Sequence, residues 1–196
     1  MKKILLVLLL ALIFTGCASI PAEGGNGAEG RFESGSSEGR EYGSSSAGIP
    51  GDYPGTYTVP EGWVKSKEHS SAAKFFYVKA GQEKDAQPDN ISVNVGKNKY
   101  SVQNHEAFRD AILRQLSMQT EGENVELKGE GTYTDQGYLV YIFTVRDAGS
   151  EMFTKQYYIL DDYRYCLIHL TNFSGEDEAE RAAAAMMNSF VWREDV

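Results

Sequence analysis

Basic charge is scarce in this chain, and chemistry at recognisable spacing is scarcer. Of 196 residues, 19 are Lys or Arg and 28 are Asp or Glu, a formal charge of −9. No run or stripe of basic residues interrupts that balance, which argues against nucleic acid as a partner. There are three histidines, His69, His105 and His169. None stands at metal-ligand spacing with another His, a Cys or a carboxylate. No Cys/His or Ser/His/Asp grouping can be read from spacing either. The expectation is therefore a protein that is not an enzyme, with no catalytic residue, metal or cofactor. Long apolar runs are also missing. The one from residue 4 to 14 is too short to hold a bilayer as a stable helical anchor.

That short run is nonetheless informative. Met1-Lys2-Lys3 supplies a basic start, the apolar stretch follows, and Thr15-Gly16-Cys17 ends it. This is the layout of a secretory signal, placed at residues 1–16. Phe14-Thr15-Gly16-Cys17 resembles the bacterial lipobox, with Phe14 where Leu is more usual. The resemblance implies a thioether-linked diacylglyceride on Cys17. It also implies an exported protein anchored by lipid to the bacterial cell membrane and facing outward. Two or three acyl chains give stable anchoring where one does not. With Cys17 lipidated, Cys166 is the only thiol left and no internal disulfide can form. Cys166 lies mid-strand between Tyr165 and Leu167 and is expected to be buried and unreactive. Losing Lys2 and Lys3 with the signal leaves 17 basic against 28 acidic residues, a charge of −11.

Residues 17–55 are assigned to the lipidated Cys and a disordered tether. Gly, Ser and Glu dominate there, and too little apolar surface exists to offset the entropy of ordering. Its relaxed reach is about 33 Å. Two catalytic-looking motifs fall inside it. Gly25-Asn26-Gly27-Ala28-Glu29-Gly30 fits G-x-G-x-x-G, and Gly35-Ser36-Ser37-Glu38-Gly39 fits G-x-S-x-G. Both chemistries need a strand before and a helix after, which a Gly/Ser tether does not provide.

The globular domain is placed at residues 56–196. Short strands are expected at 57–59, 63–65, 71–79 and 90–95, then a helix at 104–120. Asn104 is the expected helix cap, and Phe108, Ala111, Ile112, Gln115 and Leu116 the inward stripe. The loop 80–89 carries Asp85, Gln87 and Asp89 but lacks the Gly and closing Glu of a calcium loop. A four-stranded meander follows, with strands at 125–134, 138–146, 152–160 and 163–171. Its runs are rich in Tyr, Val, Ile, Phe and Thr, and Asp and Gly sit in most of the gaps. Its second strand is apolar on both faces, Leu139, Tyr141, Phe143 and Val145 against Val140 and Ile142, so cover is expected on both sides. A last helix at 175–189 offers Ala179, Ala182, Ala183, Met186 and Phe190 as its buried stripe. Ser174 and Asp177 form a capping-box-like pair at its start. The fold class is α+β, an antiparallel sheet packed between helices as an α/β/α sandwich.

Three segments resemble one family. Val59-Pro60-Glu61-Gly62-Trp63, Asn90-Ile91-Ser92-Val93 and Ser189-Phe190-Val191-Trp192 are similar to the opening, a sheet strand and the closing segment of the PsbP-like group. That group includes the extrinsic photosystem II protein, the Ran-binding nuclear import factor and bacterial envelope lipoproteins. The resemblance spans about residues 56–193. It implies the same antiparallel sheet between helices, and non-catalytic partners. The expected function is thus a lipid-anchored envelope protein that binds or helps assemble a membrane-associated protein complex. The alternative is a small-molecule or lipid-binding module with a pocket between sheet and helix. Seven of the twelve tyrosines fall in the meander, and Tyr157, Tyr163 and Tyr165 are the candidates for a partner-contact face.

Overall fold

The computed structural model describes residues 53–194. The signal, Cys17, both glycine motifs and the tether to residue 52 lie outside the described residues. The elements are β1 (Gly55–Thr56), β2 (Trp63–Lys65), β3 (Lys74–Lys79), β4 (Asn90–Lys97), α1 (His105–Gln119), β5 (Val125–Tyr133), β6 (Leu139–Asp147), β7 (Phe153–Asp161), β8 (Arg164–Asn172), α2 (Asp177–Asn188) and β9 (Val191–Trp192).

Seven strands form one sheet in the order β2-β3-β4-β8-β7-β6-β5, and every neighbouring pair is antiparallel. The meander accounts for β5 to β8, each strand within a residue or so of its expected place. Its connections are too short for anything but antiparallel neighbours. The tightest joins Asp161 to Arg164 through Asp162 and Tyr163. Tyr163 adopts φ 58, in the left-handed region. That conformation costs a non-glycine residue about 1 kcal/mol. The loop before α1 offsets it: the Tyr163 N–H donates to Tyr100 O at 2.9 Å, and its carbonyl accepts from Asn98 N at 2.8 Å.

Residue alternation sends the strands' side chains to two faces. On one face α2 lays Ala179, Ala182, Ala183, Met186 and Met187 over Ile91, Val93, Ile159, Cys166, Ile168 and Leu170. The alanines let the helix lie close. On the other face α1 buries only Phe108 and Leu116; Ala111, Ile112 and Gln115 are half-buried. The Phe108 ring sits 5.4 Å from Tyr158 and 5.8 Å from Tyr165. Each face of the sheet therefore carries a helix, as expected, but α2 lies over β8 and β4 and stops short of the second meander strand.

Four local expectations need correction. The opening strand is Gly55–Thr56, paired with Val191–Trp192 in a separate two-stranded ladder, and not residues 57–59. Tyr57 instead enters the core, where its hydroxyl lies 2.7 Å from that of Tyr77. The fold starts before residue 56, since Tyr53 is buried and stacks 4.8 Å from Phe75. Ser174 does not cap α2. Its hydroxyl donates to Asp89 Oδ2 at 2.6 Å, Asp89 Oδ1 accepts from Phe173 N and Ser174 N, and the cap position falls to Glu176. The strand expected at 71–79 begins at Lys74, because Ser71 Oγ accepts from Ala73 N and Lys74 N and turns the chain there.

Candidate functional site

The three candidate tyrosines do not share a surface. Tyr157 is buried in the core beneath α2, and that burial raises its pKa. Tyr165 lies on the opposite face, half-buried beside Phe108. Tyr163 alone is exposed, at 60%, on the hairpin tip. The reason is the two-residue period: 157 and 165 fall on opposite faces once β7 and β8 pair Tyr157 with Ile168 and Leu160 with Tyr165. Cys166 is fully buried, and burial pushes its thiol pKa well up.

The histidines also separate. His69 meets the Phe76 ring at 5.3 Å, and His105 Nδ1 is 2.6 Å from the Tyr141 hydroxyl. His169 is buried on the α1 side of the sheet in a row with Ser92 of β4 and Gln156 of β7, its direct cross-strand neighbours. Asn94 and Thr154 flank the row. Asn94 Oδ1, Thr154 Oγ1, Gln156 Nε2 and His169 Nε2 find no hydrogen-bond partner among the described residues. Burial lowers the His169 pKa to about 4, and Lys74 adds to the effect. A serine beside a histidine invites a hydrolase reading. Among the described residues no hydrogen bond joins Ser92 to His169 and no carboxylate orients the ring, and a base titrating at about 4 is a weak one. The row resembles a buried polar seam whose spare bonds suit ordered water.

The open surface lies elsewhere. α2 reaches β8 and β4, and the margin formed by β6 and β5 extends beyond it. There the α2-side face carries Glu126, Lys128 and Glu130 of β5, Arg146 of β6 and Lys155 of β7, with Glu180 of α2 as the inner wall. The groove holds about 430 Å³ and opens to solvent. Lys155 is ion-paired with Glu180, and Lys128 Nζ lies 3.1 Å from Glu126 Oε1. The Arg146 guanidinium stacks 4.5 Å from the Phe153 ring. An exposed pair such as Lys128–Glu126 contributes at most about 1 kcal/mol. Exchanging such partners for those of a docking protein therefore costs little, and complementary charge sets register and encounter rate. This groove was legible only in part. The period-two charges Glu126, Lys128 and Glu130 can be read from sequence, but where α2 stops across the sheet cannot.

A second groove, of about 710 Å³, runs along α1 between Tyr100, Ala107, Asp110, Arg114 and Met118. It too is open, and Met118 is exposed. The apolar pocket between sheet and helix fares differently. The α2 interface is filled by alanine and methionine, and the space beside it is lined by charge. Among the described residues, no group of three His, Cys, Asp or Glu side chains is placed to hold a metal ion.

No family model matches this chain, and no curated protein sequence does. Among the solved structures that can be laid on it are the following two. One is the solution structure of cyanobacterial PsbP (CyanoP) from Synechocystis, at 14% identity, covering 71% of this chain and 87% of that one with a TM-score of 0.49. The other is a crystal structure from Bacteroides thetaiotaomicron, at 13% identity, covering 72% of this chain and 46% of that one with a TM-score of 0.38. The first belongs to the group whose motifs this sequence resembles. Likenesses with TM-scores this low carry no argument about this chain.

Proposed function

We propose that this is a non-catalytic, lipid-anchored protein of the bacterial cell envelope whose domain binds or helps assemble a membrane-associated protein complex. One observation carries the reading: the sheet margin left open by α2 is a groove of alternating charge, suited to a protein surface rather than to an apolar ligand. The lipobox at residues 14–17 supplies the membrane, through lipid on Cys17. The partner is an envelope or membrane protein that carries complementary charges.

The test is affinity purification from crosslinked membranes with the anchor retained, comparing the natural chain with Arg146→Glu. One dominant protein should be recovered with the natural chain and be depleted with the variant. Recovery of none in repeated trials sinks the reading. Cys17→Ala tests the anchor separately. It should leave the domain folded and move it to the soluble fraction, and unchanged membrane fractionation refutes the anchor.

A further inference from the structure

β5 closes the seven-stranded sheet at one end, and among the described residues only β6 pairs with it. Along its far side alternate residues of the nine-residue strand present their backbone N–H and C=O groups outward, and six of its residues are exposed. Free edges of this length are usually guarded by proline, a bulge or charge. β5 has no proline, and its pairing with β6 runs unbroken from Val125↔Asp147 to Tyr133↔Leu139. Its charges are of both signs, and their order is self-complementary.

We propose that β5 pairs antiparallel with β5 of a second copy of this chain, about a twofold axis through Gly129, joining the two sheets into one. A twofold interface sets each residue against its own mirror in sequence. With the axis at Gly129, Lys128 opposes Glu130 of the second copy, and the reverse contact repeats it. Val125 meets Tyr133 twice, which covers a tyrosine now 66% exposed. All nine residues of the strand take part. Moving the axis to Lys128 sets that lysine on itself and Glu126 on Glu130. Moving it to Glu130 sets that glutamate on itself. Like charges directly opposite one another destabilise a pair of strands. An axis at Leu127 restores opposite charges but pairs only residues 125–129. The most extensive register is thus also the one that charge selects. A guard against self-pairing would carry one sign, and this strand carries both in the order that attracts its own copy. In the pair, the two charged grooves become neighbours across the axis. Confinement to a membrane surface raises the effective concentration that drives the pairing.

The experiment co-expresses two differently tagged copies of the full chain, with the anchor retained, and measures co-purification. Natural copies should recover one another. Lys128→Glu with Lys128→Glu, and Glu130→Lys with Glu130→Lys, should each lose recovery about tenfold, since both charge contacts turn repulsive. Lys128→Glu with Glu130→Lys should restore it, because opposite charges face again. The restored pair contains the same two chains, so misfolding cannot explain the losses. The proposal is overturned if natural copies do not recover one another, including the case where β5 captures a strand of a different protein. It is overturned equally if the same-variant pairs persist, or if the mixed pair recovers no better than they do.

Discussion

Gly55 offers the sharpest test of how the domain begins. A Cβ built there would lie 2.3 Å from Phe190 Cζ and 2.6 Å from Cε2, with Val191 O at 3.1 Å on another side. Phe190 is fully buried and packs edge-on against Trp192 at 4.9 Å, so the ring has little room to retreat. Gly55→Ala should therefore destabilise the domain by about 1–3 kcal/mol, the usual cost of forcing atoms into a filled core. Phe190→Ala should cost about 3–5 kcal/mol through lost burial and the cavity it leaves. The two changes must not add. Once the ring is gone the added methyl has space, and Gly55→Ala in the Phe190→Ala background should cost almost nothing. The coupling in the double-mutant cycle then equals most of the single-mutant cost. Urea unfolding followed by circular dichroism, extrapolated to water, measures all four corners. The reasoning is refuted if Gly55→Ala lies within about 0.5 kcal/mol of the natural chain, or costs the same in both backgrounds.

Three further outcomes follow from buried groups. His169 titrates near 4 when folded and near 6.5 when unfolded, so the unfolded chain binds the extra proton between those values. Its contribution is full above pH 6.5 and should fall by up to about 1.4 kcal/mol per pH unit down to pH 4. The difference in urea midpoint between the natural chain and His169→Gln should follow that slope; a flat difference contradicts it. Asn172 is fully buried, accepts from Gly175 N at 2.7 Å and donates to Glu176 O at 2.8 Å, so it ties β8 to the start of α2. Asn172→Leu should cost about 1–3 kcal/mol by stranding those backbone groups, and a neutral result would show that water replaces the side chain. Cys166 should resist thiol reagents in the native protein and label fully in urea; native labelling at a free-thiol rate would contradict its burial.

How much was legible in advance depends on the range of the interaction concerned. The meander was, because period-two apolar runs and Asp/Gly turns are local signals, and its short turns dictate neighbours. The α2 stripe was too, since Ala179, Ala182, Ala183 and Met186 recur at helical spacing. Ser174 looks like a cap from sequence because its competitor, Asp89, lies 85 residues away. Tyr57 looks like a strand residue because nothing local says that its hydroxyl will meet Tyr77. The candidate tyrosines separate for a related reason. Composition counts rings, but register decides which side of the sheet each one takes. Nor does any local pattern say that β4 slots beside β8, or that α2 leaves the β5 margin bare.

The small ladder of β1 and β9 has a mechanical meaning. Gly55 stands beside Trp192 and Thr56 beside Val191, while Arg193 N donates to Pro54 O at 2.9 Å and Arg193 Nη1 to Tyr53 O at 3.3 Å. The chain therefore comes into the domain and leaves it at the same corner. A pull delivered through residue 53 loads this two-residue clasp first, and strands of nine residues only afterwards. Tension applied there would part the clasp before the sheet.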